Sequence, residues 1–531
     1  MDQRKRVMQR SMKLGHCVCD PKQPCPCDLF KTHNVCLCAG ERLDEPTGPV
    51  ALTRLVEKAG CASKIDQAFL KEVLKDLPEP VDPRVLIGST AGDDAGVYEL
   101  PNGTCLVQTV DVFTPSVDDP YVFGQVAAAN SVSDIYAMGG TPLTALSIIG
   151  FPVRQVPDAV MTRILCGGID KMQEAGAAVI GGHSINDSQL KAGFAVTGVV
   201  DKHRIFTNAG ASAGDVLILT KPLGTGIVAF AAQLQKAAPQ SLQAAAESMT
   251  QLNKTAAELM RTHNAHACTD VTGFGLMGHL AEMALRSGVD VQLYWDRIPL
   301  LEGVLDYAAA GLLSGGIERN KDSCGHAVSR DTDVSELMED MLYDPQTSGG
   351  LLIAIAADKA EALLSDLHQA GIACAAAIGN VLGPGTGRIR LRTDHSRPHP
   401  EADRPEDRPW TAQSEPQTVP SAQPGGAAAD ACCCPSPPGG QPIGTETAFQ
   451  NFLASAARPG GLDAVSKQTA QIALCVLSRC EPCLKVHLKK AQKMGFSQAE
   501  IEEAAWLGIA FGGSPAMMFY TSVIRQIKTE E

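Results

Sequence analysis

The sequence predicts an α/β plus α+β body followed by a small all-α domain, and three observations carry that prediction. From Ala51 to Arg392 apolar runs alternate with glycine-rich turns and alanine-rich helical stretches, the mixture expected of α/β and α+β domains. From Pro398 to Pro442, eleven of the 33 prolines fall among Ser, Gln, Ala and Gly, a composition that buries too little apolar surface to fold. Beyond about Glu446 helical periodicity returns, and Ser497-Gln-Ala-Glu500 ahead of an apolar run is a capping-box signature.

The 531 residues, at roughly 150 per domain, suggest three or four domains. Five regions follow: a cysteine-rich extension (1–50), an N-terminal body domain (51–205), a second body domain (206–397), a linker (398–442) and a helical domain (443–531). Basic side chains number 45 against 59 acidic, a net charge of −14, which disfavours a nucleic-acid partner because a polyanion needs a positive face. Apolar stretches such as Ala145–Val153 fall short of the roughly 18 residues a membrane helix needs. The basic start, MDQRKRVMQRSMK, leads into Gly15, His16 and cysteines instead of an apolar core, so a secretory signal is not expected and the expected location is the cytoplasm.

In the head, six cysteines form three C-x-C pairs, Cys17/Cys19, Cys25/Cys27 and Cys36/Cys38, with His16, Asp20, Asp28 and His33 nearby. In a long cytosolic chain such clusters point to metal or thiol chemistry rather than a disulfide scaffold. The spacing is unusual for zinc fingers. A bound metal, a bound selenium species and a thiol-rich disordered segment all remain open.

In the body, Asp94, Asp111, Asp134 and Asp270 sit where strand-like runs end or beside glycine-rich turns. Oxygen-only sites suit Mg²⁺ bridging carboxylates to phosphates, and Gly181-Gly182 after an apolar run would let backbone N–H groups approach phosphate oxygens. Taken singly, each such pair is a turn signal. No Walker-type G-x-x-x-x-G-K-[ST] loop occurs.

Together the segments LTRLVEKAGCASKID, STAGDDAGVYEL, TVDVFTPSVDDPYVFGQVAAANSVSDIYAMGG, AVIGGHSI, ACTDVTGFGLMGHLAEM, SGGIERN and YDPQTSGGLL resemble, in order, the selenide, water dikinases or selenophosphate synthetases. The resemblance implies an aminoimidazole-ribonucleotide-synthetase-like two-domain ATP enzyme that dimerises through its N-terminal sheet and holds ATP between its domains. It implies a catalytic pair, Cys61 and Lys64, in a segment that closes over the site, with Ser63 standing where the family has a second cysteine. It further implies Mg²⁺ ligation by Asp94, Asp134 and Asp270, and ATP contacts from Lys64, Ala91, Gly92, Asp93, Asp111, Asp134, Gly181, Gly182 and His183. The implied reaction turns selenide, ATP and water into selenophosphate, AMP and orthophosphate, for selenocysteine and selenouridine formation. A nearby Lys64 is expected to favour the Cys61 thiolate.

In the tail, Cys480, Cys483 and His487 fall near one helical face, and Pro482 is tolerated best in a first turn, so a helix is expected to begin at Cys480. The C-x-x-C-x-x-x-H pattern resembles the alkyl hydroperoxidase D and carboxymuconolactone decarboxylase-like family, which implies a redox dithiol with His487 relaying protons. That family's glutamate twelve residues before the first cysteine is Gln468 here. Zinc is the rival use of two Cys and one His. The tail is expected to reduce selenium compounds or hand selenide to the body, with a selenium-delivery protein as a further candidate partner. A thiol-dependent peroxidase or selenium carrier built on an ATP-binding scaffold is the alternative to synthesis, and Cys432, Cys433 and Cys434 in the linker carry no assignment.

Overall fold

The computed structural model describes residues 3–17, 24–39, 41, 50–65, 67–74, 81–88, 92–153, 155–394, 464–477, 481–509, 520, 523 and 524. The linker 398–442, Cys432–Cys434, Ala91 and Cys480 lie outside that set. Two units divide the chain, Met1–Glu406 and Asp407–Glu531.

The first unit contains two sheets. One has the order β1-β2-β3-β6-β4-β5, formed by β1 (Val85–Ile87), β2 (Gly96–Glu99), β3 (Thr104–Phe113), β4 (Thr141–Phe151), β5 (Ala178–Asn186) and β6 (Lys191–Asp201). All its pairings are antiparallel except β4 with β5, and β3 runs against β6 over its whole length, with Asp111 opposite Phe194. Alternation sets which face is buried: Cys105 and Val107 point into the core while Gln108 and Val110 face out.

The helices Pro120–Ala137 and Asp158–Ala175 pack together in this domain. The first starts cleanly because Pro120 occupies the first turn and the Asp119 carboxylate accepts from the Val122 N–H at 3.0 Å. Their backbones touch, since a Cβ at Gly124 would lie 1.9 Å from the Ile164 carbonyl oxygen and one at Gly167 would lie 1.9 Å from that of Tyr121. That close crossing fixes the helix that carries Asn130 and Asp134.

The second sheet has the order β10-β13-β9-β12-β7-β11-β8, from β7 (Val216–Leu219), β8 (Ala267–Asp270), β9 (Val289–Tyr294), β10 (Val328–Arg330), β11 (Leu351–Ile355), β12 (Ala376–Pro384) and β13 (Ile389–Arg392). Although β8 is an edge strand, every residue in it is buried, because the Pro120–Ala137 helix of the first domain covers it. Asp270, the last residue of β8, is thereby brought to the seam between the domains.

The head is folded as part of this unit. Helices Gln3–Leu14 and Asp28–His33 and the 3₁₀ turn Leu37–Ala39 are tied by Arg4, which donates to Glu41 Oε1 at 2.6 Å and lies 5.1 Å from the Phe30 ring centre. In the second unit, Ala464–Leu477, Glu481–Lys493 and a helix over 498–509 bury Ile472, Val476, Leu484, Leu488, Ile501 and Ala505. The expected capping box is present: the Ser497 N–H donates to Glu500 Oε2 at 2.7 Å, and the Glu500 N–H donates back to Ser497 Oγ at 3.3 Å. Among the described residues no helix is long and apolar enough to cross a membrane.

Candidate active site

Cys61 lies in the 3₁₀ turn Gly60–Ser63 and is 2% exposed. Three contacts hold the turn down: Gly60 N–H donates to the Pro115 carbonyl at 3.1 Å, Cys61 N–H to Thr347 Oγ1 at 3.0 Å, and Arg319 to the Ala62 carbonyl at 3.0 Å. Farther back, the Thr53 N–H donates to Asp118 at 2.9 Å. The Cys61 thiol donates to Asn130 Oδ1 at 3.7 Å. Three residues on, the Lys64 ammonium donates to Asp111 Oδ2 at 2.6 Å, and the Asn130 amide donates to the same oxygen.

Electrostatics around this pair depart from the expectation for a lysine beside a thiol. Burial pushes the Cys61 thiol up to about 12; Lys64 pulls the other way but does not overcome it. Desolvation is the largest single influence on Lys64 and pulls it down, yet the charge and hydrogen bond of Asp111, with Cys61 and Asp134 adding, together outweigh it and hold the ammonium above the ordinary range. In this arrangement the lysine is charged and the thiol neutral.

Asp94, Asp134 and Asp270 each offer an oxygen to one point, these atoms lying within 4.8 Å of one another. They come from three elements: the loop before β2, the last turn of the Pro120–Ala137 helix, and the end of β8. Asp134 sits four residues after Asn130, so both face β3, where the Thr109 hydroxyl donates to Asp134. Asp94 Oδ1 accepts from the Thr269 hydroxyl at 2.8 Å. The second oxygens of Asp94 and Asp270 are buried without a hydrogen-bond partner. Burial, with the neighbouring carboxylates adding, raises Asp94 and Asp134 well above the usual range; burial brings Asp270 to about 6 although Ser133 and Lys64 pull it down. Orphaned carboxylate oxygens in an all-oxygen donor set fit a hard divalent cation such as Mg²⁺.

The other expected contacts divide. Gly92 (φ +60) and Asp93 adjoin Asp94; Asn208 donates its amide to the Gly92 carbonyl at 3.0 Å, and its N–H to Asp93 at 3.3 Å. Gly181, Gly182 and His183 are instead exposed on β5, at the far edge of the sheet, three strands from Asp111 on β3. Within one chain the structure does not bring them to the aspartates.

Several residues around the site were not singled out from the sequence. The loop Asp344–Gly350 is pinned by Asp344, which accepts from the Gly226 and Ile227 N–H groups at 3.1 Å, and by Gln346, which accepts from those of Gly224 and Thr225. It presents Thr347 to Cys61, and the Ser348 N–H to Asn130 Oδ1 at 2.7 Å. Behind Asp94, the Thr272 N–H donates to His279 Nε2 at 3.0 Å, so the ring proton sits on Nδ1 and faces Thr269 Oγ1 at 3.3 Å. The only signal for these residues was their presence in the DPQTSGG and TDVTGFGLMGH strings.

In the tail, the helix begins at Glu481 and holds Pro482 in its first turn. Gln468 is 1% exposed, and its amide donates to the His487 carbonyl at 2.9 Å and faces His487 Nδ1 at 3.3 Å. Burial, aided by Lys490, holds His487 below the ordinary histidine value.

The AIR synthase related protein N-terminal domain matches residues 92–200, the corresponding C-terminal domain matches 212–392, and the carboxymuconolactone decarboxylase family matches 445–526. The body therefore has the two-domain AIR synthase fold. A selenide, water dikinase from Pelobacter propionicus is 47% identical over 340 residues, spanning 64% of this chain and 98% of that protein. The chain belongs to the selenide, water dikinase family. Another member, from Geobacter metallireducens, is 46% identical over 336 residues, 63% of this chain and 97% of its own length. The crystal structure of thiamine monophosphate kinase from Aquifex aeolicus is similar over 61% of this chain and 94% of that one, with 19% identity and a TM-score of 0.42.

Proposed function

We propose that this chain makes selenophosphate from selenide, ATP and water, releasing AMP and orthophosphate. The observation that carries the reading is the convergence of Cys61, the Lys64–Asp111 pair and the three aspartates at one seam, in a chain whose body matches a selenide, water dikinase over 98% of that protein's length. Asp94, Asp134 and Asp270 would hold Mg²⁺, which supplies positive charge that lets a polyphosphate approach carboxylates. Lys64, kept charged by Asp111, stabilises negative charge on the transferring phosphoryl group. Gly92 and Asp93 lie beside the same aspartates and contribute to the nucleotide site.

Cys61 acts in two states. With residues 51–64 docked, it is a neutral thiol donating to Asn130; with that segment lifted, rehydration frees the thiolate to take up selenium. Docking then excludes water from phosphoryl transfer.

A second copy of the chain completes the enzyme. The outer face of the N-terminal sheet exposes Val110, Leu143, Leu146 and Ile180, an apolar surface suited to a homodimer, and Gly181, Gly182 and His183 on β5 would then meet ATP from the contact between copies. The tail dithiol, Cys480 and Cys483 with His487, supplies reduced selenium, alone or with a delivery protein, and the head binds selenium in preference to metal. The site of action is the cytoplasm, where thiols and selenide stay reduced.

Anaerobic ³¹P NMR of the chain with ATP, Mg²⁺ and selenide tests the reading. Selenophosphate and AMP are expected together, and neither in Cys61→Ala; ATP left intact, or wild-type turnover in that variant, overturns it.

A further inference from the structure

Ser348, in the loop Asp344–Gly350, is held in a conformation that its own chemistry does not favour. Its φ of +49 lies in the left-handed region, where a Cβ crowds the following carbonyl. Glycine would relieve that crowding, yet the glycines come one and two positions later. There a Cβ would lie 2.1 Å from the Val271 carbonyl oxygen at Gly349 and 2.4 Å from the Lys221 backbone nitrogen at Gly350. Both main-chain groups of Ser348 are fixed by distant side chains: its N–H donates to Asn130 Oδ1 at 2.7 Å, and its carbonyl accepts from Lys221 Nζ at 2.9 Å. Lys221 is itself 2% exposed, also donates to the Gln251 carbonyl at 2.7 Å, and is pulled down to about 7 by desolvation. A lysine is buried only at a cost, and here the result is a serine locked in place. Ser348 is buried too, and its hydroxyl has no hydrogen-bond partner among the described residues. Backbone strain of this kind concentrates at functional sites.

The surroundings choose the ligand. Asn130 Oδ1, which takes the Ser348 N–H, is the oxygen to which the Cys61 thiol donates at 3.7 Å, and Thr347 accepts from the Cys61 N–H at 3.0 Å. Ser348 and Cys61 are therefore neighbours across one amide oxygen. That oxygen suits a thiol, which has a proton to give. It does not suit the same cysteine holding anionic selenium, which has none and which the Asp111 and Asp270 charges, already felt by the Cys61 thiol, repel. Lys64 is engaged by Asp111 at 2.6 Å. A hydroxyl donor fixed beside Cys61 before selenium arrives stabilises that anion without reorganisation.

We propose that the Ser348 hydroxyl donates to selenium held at Cys61 while the catalytic segment is docked, so that Ser348 is a selenide-recognising residue. The inference rests on the selenophosphate reading and deepens it, by naming the group that receives the chalcogen. No bond forms or breaks at the serine: the hydroxyl keeps its proton, and selenium keeps the electron pair that attacks phosphorus.

The test compares the full chain with Ser348→Ala, which removes the hydroxyl and keeps the Cβ, and Ser348→Gly, which also relieves the left-handed backbone. Selenophosphate formation is followed anaerobically by ³¹P NMR against selenide and, separately, against ATP. In both variants the half-saturating selenide concentration is expected to rise about tenfold or more, the loss expected for a hydrogen bond to a charged group, while that for ATP stays unchanged. Ser348→Ala is expected to melt at or above the parent temperature, because an unpaired buried hydroxyl is gone. A purely conformational role would leave Ser348→Ala at parent activity. Unchanged selenide dependence in Ser348→Ala, a shift in ATP dependence instead, parent selenide dependence in Ser348→Gly, or a Ser348→Ala melt below the parent would each overturn the assignment. A parent chain that makes no selenophosphate overturns the underlying reading as well; a parent that makes it beside an unaltered Ser348→Ala overturns this inference alone.

Discussion

Gly60→Ala separates docking of the catalytic segment from the fold of the body. Gly60 has φ +61, and a Cβ there would lie 2.5 Å from Thr347 Oγ1 and 3.1 Å from Ser116 Cβ. The left-handed backbone costs an alanine about 1–2 kcal/mol. Moving Thr347 aside removes the acceptor of the buried Cys61 N–H, at about 1–3 kcal/mol. Together these give about 3 kcal/mol against docking, roughly a hundredfold in its equilibrium at 1.4 kcal/mol per factor of ten. Selenophosphate formation, followed by ³¹P NMR, is expected to fall by up to that factor, while Cys61 alkylation by iodoacetamide, read by mass spectrometry, accelerates. Gly103→Ala is the control: φ is +81 there, but nothing lies within 4 Å of the new Cβ, so it carries strain without touching Cys61. Wild-type turnover together with unchanged Cys61 alkylation in Gly60→Ala would refute the reasoning.

Three further predictions concern single groups. Because burial raises the Cys61 thiol from 9.0 to about 12, its contribution to docking is fully present below pH 9 and lost as pH rises toward 12; alkylation should climb steadily between pH 7 and 10, and a plateau below pH 9 would contradict this. His279→Ala removes the ring that orients Thr269 against Asp94, so Mn²⁺ affinity measured by electron paramagnetic resonance should weaken about 10- to 100-fold; unchanged affinity would show that Asp94 needs no such support. Gln468→Glu replaces the amide that donates to the His487 carbonyl with a carboxyl group beside Nδ1, and the His487 midpoint in an NMR titration should rise by about one unit or more. In the parent chain that histidine, depressed below 6.5, costs stability as pH falls from 6.5 through its folded value; a Gln468→Glu midpoint no higher than the parent's would count against the contact.

Local order carried much of this protein in its sequence. The capping box at Ser497, the first-turn prolines at 120 and 482, and the strand alternation of β3 follow from neighbours a few residues apart. Residue chemistry at the site was also legible: acids for a hard cation, and a cysteine with a lysine three positions on, in strings specific enough to indicate a family.

Tertiary packing decided the rest, because the deciding contacts join residues that local periodicity cannot relate. Thr347 reaches Cys61 across 286 positions, and Ser348 reaches Asn130 across 218. The charge balance at Cys61 could not be read from the sequence either: spacing to Lys64 suggested a stabilised thiolate, but desolvation depends on how completely the Asp344–Gly350 loop and the Pro120–Ala137 helix enclose it, and enclosure wins. That Gly181–His183, offered by the resemblance as ATP contacts, lie on an edge strand three strands from Asp111 was likewise a matter of strand order, which no local pattern states. Sequence fixes what each side chain can do and which way it faces along its own element; only the packing of elements fixes distance and solvent, and on those two quantities the chemistry of Cys61 depends.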